Sequence, residues 1–245
     1  MLEIKNLKKY FGGIKAVDGC SFKLSDNKIT ALIGPNGAGK STVFNLISGF
    51  EKKDKGKIFL SSQDITELKP YQISKLGLSR VFQKSRLFNN LTVKENLLIS
   101  INKDNTQFWN NLLYPNKNKK LFEEKITDVL KLLNITKMKN HIAGDLSFGQ
   151  KRLVELARAI ILPHKILILD EPVAGVNPKI RKDIMKILSI LKKQGETILL
   201  IEHDMYFTLN ISDHIIVMDE GKVIAEGTPA QIKKNKKVLE AYLGD

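Results

Sequence analysis

Cysteine occurs once in the 245 residues, at Cys20, so no internal disulfide can form and a disulfide-stapled secreted fold is excluded. Long apolar runs are missing too. Stretches such as Ala159–Leu162 and Ile166–Leu169 fall far short of the roughly 20 residues that span a bilayer, so the chain is not expected to cross a membrane by itself. The opening MLEIKNLKKYFGG has neither the apolar core nor the small-residue cleavage site of a secretory signal, which makes a reducing cytoplasm the expected home. Acidic residues are in the minority, 26 Asp and Glu against 40 Lys and Arg, for a net charge of +14. Such an excess suits a nucleic-acid binder, a protein resting on anionic lipid, or a nucleotide enzyme with a lysine-rich surface. Aromatic residues do not interleave with basic ones as a base-stacking platform requires, and the lysines are spread along the chain, with clusters at 117–120 and 233–237. A solvated surface with some attraction to a membrane is therefore expected, and nucleic acid is not.

What is present is the periodicity of an α/β protein. Leu2 and Ile4, then Phe22 and Leu24, alternate as short strands broken by Gly12-Gly13, which implies a sheet with one wet face. Ile29–Ile33 is a strand-length apolar run ending at Gly34, and a helix is predicted from Gly39 toward Gly49. Thr92 and Glu95 fit a capping box that opens another helix. Residues 102–120 are polar, rich in asparagine and interrupted by Pro115, and predict a loop or short helices. Phe122, Ile126, Val129, Leu130 and Leu133 recur at helical spacing, as do Leu153, Leu156, Ala157, Ile160 and Ile161, so residues 84–162 are expected to be mainly helical. Beyond Pro163 follow a buried strand (Ile166–Leu169), a helix with Pro178 in its first turn and Gly195 past its end, and a second buried strand (Thr197–Ile201). Strands of that kind flanking a helix predict a parallel sheet. The tail reads as a hairpin, Ile215–Met218 and Val223–Ala225 around Asp219-Glu220-Gly221, then two short amphipathic stretches. No repeat or linker divides the chain, so residues 1–245 are expected to form one domain with the helical part inserted.

GPNGAGKST, residues Gly34, Pro35, Asn36, Gly37, Ala38, Gly39, Lys40, Ser41 and Thr42, matches the phosphate-binding loop pattern after a buried strand and at a helix N-terminus. Its glycines let backbone N–H groups converge on phosphate oxygens at the positive end of the helix. Lys40 is expected to reach the β- and γ-phosphates of ATP, and the Ser41 hydroxyl to ligate Mg²⁺. ILILDE, residues 166–171, delivers two adjacent carboxylates to a strand end, where open α/β sheets bind ligands. Asp170 would hold Mg²⁺, and Glu171 would polarise the attacking water. LSFGQ, residues 146–150, precedes the helix of Leu153 and Leu156, placing Ser147 and Gly149 at an N-terminus suited to an anion.

With these three elements together, LSFGQ resembles the LSGGQ signature of the ABC ATPase family, with Phe148 at the usual third-position glycine. The resemblance extends over essentially the whole chain. It implies a phosphate-loop NTPase core with an antiparallel β subdomain and an α-helical signature subdomain at about 84–162. It also implies a nucleotide contact for Gln150 and an adenine-stacking role for Phe11, with Tyr10 the alternative. Gln83 takes the position of the glutamine that senses Mg²⁺ and γ-phosphate, and His203 that of the histidine that contacts γ-phosphate. Ala174–Pro178 (AGVNP) takes the D-loop position, with Asn177 where many members carry aspartate. Catalysis is thereby assigned to Glu171, His203 and Lys40, and metal binding to Ser41, Gln83 and Asp170.

RLFNNLTVKENLL (86–98), the polar insertion containing Trp109, AGVNP and the tail from Ile211 to Ile232 ending in AYLGD look like the ATPase subunits of branched-chain amino acid importers. Lipopolysaccharide- and urea-transport ATPases are near relatives with similar tails. The subfamily resemblance implies a peripheral subunit on the cytoplasmic face of the inner membrane. It would hydrolyse ATP in partnership with transmembrane permease subunits and a second ATPase subunit, identical or paralogous, and indirectly with a periplasmic solute-binding protein. A soluble ABC-type ATPase of DNA repair or translation is the alternative class. About 100 residues, without sustained heptads, separate Thr42 from Leu146, which argues against the long coiled coil of the repair enzymes. A non-hydrolysing regulatory subunit is disfavoured by intact Lys40, Asp170 and Glu171.

Overall fold

Burial of Leu2, Ile4 and Leu7 draws the first strand onto a core, and the chain turns back at Gly12-Gly13 to form a long antiparallel pair, β1 (Leu2–Phe11) and β2 (Ile14–Lys23). Shifts of register along this pair break the simple alternation after Ile4, so what the sequence presents as short fragments are two ten-residue strands. With β4 (Lys55–Leu60) and β5 (Gln63–Asp64) they make a four-stranded antiparallel sheet in the order β2-β1-β4-β5. The computed structural model describes residues 1–82, 86–101 and 119–243. It divides into two units, one of residues 1–80, 165–172 and 188–245, the other of residues 81–164 and 173–187.

The first unit also carries the central sheet, β10-β9-β3-β8-β7-β6, formed by β3 (Ile29–Ile33), β6 (Leu78–Val81), β7 (Ile166–Asp170), β8 (Ile198–Ile201), β9 (His214–Asp219) and β10 (Lys222–Gly227). Every residue of β3, β7 and β8 is buried, as continuous apolar runs in a covered parallel sheet must be. β3 runs parallel to both β8 and β9, β7 parallel to β8, and β9 turns back antiparallel into β10 at Glu220-Gly221. β6 ends at Val81, one residue before Phe82. Helices α1 (Lys40–Ile47), α2 (Pro70–Lys75), α7 (Met205–Ile211), α8 (Pro229–Ile232) and α9 (Lys236–Leu243) complete this unit, and Phe44 and Ile47 of α1 join its core with Leu32, Ile168 and Ile201.

In the second unit, α3 (Val93–Ile101), α4 (Lys119–Leu132) and α5 (Phe148–Ile160) contact one another, and Val93, Leu97, Ile126, Leu130 and Leu153 on them are buried. The Thr92 box forms, with the Glu95 N–H donating to Thr92 Oγ1 at 3.2 Å and the Thr92 N–H donating to Glu95 Oε2 at 2.7 Å. Helix α6 (Pro178–Lys193) starts in this unit and ends in the first. Most of the polar insertion, including Trp109, lies outside the described residues.

Candidate nucleotide site

The phosphate loop is held from below. A Cβ on Gly34 would run into Met218 O of β9, and one on Gly39 into Ala16 O of β2, so both positions demand glycine for closeness as well as for φ of +151° and +94°. The turn after β9 acts as a tie between the loop and the antiparallel sheet: Gly221 N–H donates to Ala38 O at 3.2 Å, while Gly221 O accepts from Asp18 N–H at 2.9 Å. Tyr242 of α9 also meets the loop. Burial pushes its hydroxyl up to about 12, while a backbone hydrogen bond from Gly34 pulls the other way.

Lys40 is 5% exposed, and its ammonium donates to the carbonyls of Gly34 at 2.8 Å and Pro35 at 2.7 Å. Burial lowers its pKa from the usual lysine value, and the charge of Glu171 opposes that shift. A lysine satisfied by the carbonyls of its own loop is stored in place, with hydrogen bonds that a phosphate can exchange. Ser41 is exposed in the first turn of α1.

At the end of β7, Asp170 remains in the strand while Glu171 turns out of it with φ of +50°, a left-handed conformation that costs a non-glycine residue about 1–3 kcal/mol. The Glu171 N–H donates to Ile201 O at 3.0 Å, which holds that turn against β8. Glu171 Oε1 then lies 2.9 Å from His203 Nε2, and the ring is 46% exposed against 16% for the carboxylate. Asp204 follows as the N-cap of α7, accepting from Phe207 N–H at 2.8 Å, which fixes the chain just past the histidine.

Sequence reasoning missed Arg80. Its Nη2 donates to Asp170 Oδ2 at 3.0 Å, and its Nη1 reaches Phe44 O, Asn45 Oδ1 and Ser48 Oγ at 3.2, 3.0 and 3.1 Å. One guanidinium therefore joins the acid of β7 to the C-terminal end of the phosphate-loop helix. The available signal was an arginine within the short apolar strand LSRV, where a charge is retained only with partners.

Tyr10 and Phe11 differ in their commitments. The Tyr10 hydroxyl donates to Asp18 Oδ1 at 2.7 Å, and Lys8 pairs with the same carboxylate at 3.1 Å, whereas Phe11 presents a ring that is 45% exposed with Lys9 Nζ 4.9 Å from its centroid. Of the two aromatics, Phe11 offers the face. Gln83, the expected sensor, lies outside the described residues.

In the second unit Ser147 is the N-cap of α5: its Oγ accepts from Gln150 N–H at 3.4 Å, and its own N–H donates to Gln150 Oε1 at 2.8 Å. Gln150 is thus engaged in the cap. Arg152 and Glu155, a buried pair 3.2 Å apart, hold the chain on the same helix: Arg152 donates to Phe82 O at 2.7 Å, and Glu155 accepts from Arg86 N–H at 2.9 Å. Leu87 is buried while Phe88 is 49% exposed, so only the second of these neighbours offers a surface.

Residues 17–174 match the ABC transporter family model, and residues 222–245 match the model for the branched-chain amino acid ATP-binding cassette transporter. The chain is 40% identical, over 100% of its length and 98% of the relative's, to a high-affinity branched-chain amino acid transport ATP-binding protein of Pseudomonas aeruginosa. It is 39% identical, with the same coverage, to such a protein of Escherichia coli. Among solved structures, a nucleotide-free ATP-binding cassette from an ABC transporter matches with a TM-score of 0.87 at 37% identity, covering 100% of this chain and 99% of that one. A cassette in its ADP conformation matches at 0.86 and 38%, again over 100% and 99%. A dimeric bacterial ABC transporter cassette matches at 0.80 and 26%, over 94% and 99%. With the phosphate loop, the paired acids and the capped signature helix in view, the chain belongs to the ABC transporter family as an ATP-binding subunit.

Proposed function

We propose that this subunit hydrolyses Mg²⁺-ATP to drive import of branched-chain amino acids through separate permease subunits, working at the cytoplasmic face of the membrane with a second ATPase subunit. The observation that carries the chemistry is the contact between Glu171 and His203, 2.9 Å apart, with buried Lys40 in the same unit. Glu171 orients and deprotonates the attacking water, His203 holds that carboxylate and meets the γ-phosphate, and Lys40 exchanges the Gly34 and Pro35 carbonyls for phosphate oxygens. Water adds to the γ-phosphorus as the bond to the β-phosphate oxygen breaks, giving ADP and phosphate. Phe11 stacks on adenine. Gly34, Pro35, Asn36, Gly37, Ala38, Gly39, Ser41 and Thr42 surround the phosphates.

The donor set suits Mg²⁺. Ser41 supplies an exposed hydroxyl and Asp170 a carboxylate, and among the described residues no group of three or more His, Cys, Asp or Glu forms a cage. This cation favours one or two protein oxygens, substrate phosphates and water. When bound it neutralises charge on the phosphates; the chain's part is to hold Asp170 by way of Arg80 and to present Ser41. By family resemblance Gln83 joins them. Ser147, Gly149 and Gln150 would close the ATP site of a second cassette, so that γ-phosphate joins two subunits and its loss releases them. The dimeric relative, the branched-chain segment at 222–245 and the full-length identity to branched-chain transport subunits support these assignments. No helix among the described residues is long and apolar enough to cross a membrane, in keeping with a requirement for permease partners.

Lys40→Ala should abolish turnover, and chelation of Mg²⁺ should silence the wild type. With co-encoded permeases in proteoliposomes, supplied with the solute-binding protein, ATP should drive uptake of leucine, isoleucine or valine. Uptake of urea instead would overturn the solute assignment, and wild-type turnover by Lys40→Ala would overturn the site.

A further inference from the structure

Phe148 stands where the family signature has glycine, in the first turn of α5 between the N-cap Ser147 and Gly149, and 59% of it is exposed. The ring has one close neighbour that lacks a side chain. A Cβ built on Gly175 would come 3.2 Å from Phe148 Cε1, 3.7 Å from Cζ and 3.9 Å from Cδ1, so the ring edge occupies the space beside the Gly175 Cα. Gly149 meets the same stretch of chain from its other end, because a Cβ there would run into Ile180 Cδ1 in the first turn of α6. Between these contacts the backbone is fixed: Gly175 has φ of +69°, and Asn177 Oδ1 accepts from Ile180 N–H at 3.0 Å while Asn177 O accepts from Arg181 N–H at 3.0 Å. All these residues lie in the second unit. Two consecutive signature residues thus grip both ends of residues 175–180, one by filling the place of a missing side chain and the other by leaving room for one.

We infer that Phe148 and Gly175 are a matched pair that fixes the signature to residues 175–180, and that Phe148 is a positioning residue for ATP-driven pairing of two cassettes. The pairing itself rests on the composite site proposed above. Ser147 and Gly149 flank the ring, so a ring anchored on Gly175 sets where the N-terminus of α5 stands relative to Asn177 before a second subunit arrives. Without the anchor, that arrangement has to be ordered on closure. If that ordering costs about as much as immobilising one side chain at an interface, it weakens binding by about threefold to tenfold. The ring is mostly in water, so its removal costs the fold little.

A double-substitution cycle tests the pair. In a Glu171→Gln background, ATP-dependent dimerisation would be measured by sedimentation for Phe148→Ala, Phe148→Tyr, Gly175→Ala and Phe148→Ala with Gly175→Ala. In the otherwise wild-type chain, kcat and the KM for ATP would be measured for the same set. Phe148→Ala should weaken dimerisation by about threefold to tenfold and lower kcat with little change in nucleotide binding to the monomer, and Phe148→Tyr should restore both. Gly175→Ala introduces a methyl against the ring and backbone strain at positive φ. Only the strain persists once the ring is gone, so the penalty for Gly175→Ala should shrink by about threefold or more in the Phe148→Ala background. Additive effects, or an undiminished dimer in Phe148→Ala, would overturn the positioning role while leaving the composite site intact. A Glu171→Gln parent that stays monomeric with ATP, alone and with its co-encoded paralogue, would overturn the composite site and with it this role.

Discussion

Replacing Arg80 by methionine keeps an unbranched stem and removes the guanidinium with its charge. Arg80 and Asp170 are 7% and 9% exposed, so the change withdraws a cation from a buried carboxylate, together with donors to Phe44 O, Asn45 Oδ1 and Ser48 Oγ. Removing one partner of a buried pair costs about 3–5 kcal/mol, and the lost hydrogen bonds overlap with that figure rather than adding to it. At about 2–4 °C per kcal/mol for a chain of this length, the melting temperature should fall by about 6 °C or more. Arg80→Lys keeps a charge but not the planar fork that reaches four acceptors, and should lie between the two. Urea unfolding of Arg80→Met, Asp170→Asn and the double variant, followed by circular dichroism, gives the pairwise energy. The double variant should lose less than the sum of the singles by at least about 1 kcal/mol. A loss below about 1 kcal/mol for Arg80→Met, or strict additivity, would refute the claim that this arginine seats the acid of β7 on the phosphate-loop helix.

Phe11→Ala should weaken ATP binding by about threefold to tenfold through loss of aromatic contact, measured by titration with a fluorescent ATP analogue, whereas Tyr10→Phe should leave it unchanged because the Tyr10 ring has its role at Asp18. Glu123 responds to pH: hydrogen bonds from Lys139, at 2.7 Å, and from Lys94 hold its carboxyl below the usual value. A depressed folded pKa contributes stability above the unfolded carboxylate value that is lost as pH falls through the folded one. Wild type should therefore exceed Glu123→Gln in urea midpoint at neutral pH, with the difference closing below about pH 4, and a difference independent of pH would contradict the linkage.

The parts of the fold that the sequence announced are those in which one local rule acts alone. Ile29–Ile33 and Ile166–Asp170 are buried on both faces, so they appear as unbroken apolar runs, and the phosphate loop is written in glycines that the backbone cannot replace. β1 and β2 were harder to see whole because their irregular register hides the alternation, and β4, β5 and α2 carry too few buried residues to stand out. Leu87 and Phe88 are adjacent and both apolar, yet burial separates them, a distinction only packing makes. Long-range ties were invisible for the same reason. Neither Arg80 to Asp170, 90 positions apart, nor Gly221 between Ala38 and Asp18 leaves a spacing pattern in one sequence.

The central claim is that Glu171 supplies the base for hydrolysis and that the γ-phosphate joins two cassettes. Glu171→Gln keeps the shape of the side chain and removes its basicity, so the variant should bind ATP, fail to turn it over, and sediment as a dimer with ATP but not with ADP. The dimer would form either alone or with the co-encoded paralogue. Continued hydrolysis by Glu171→Gln at the wild-type rate, or a protein that remains monomeric with saturating ATP in both cases, would contradict the account.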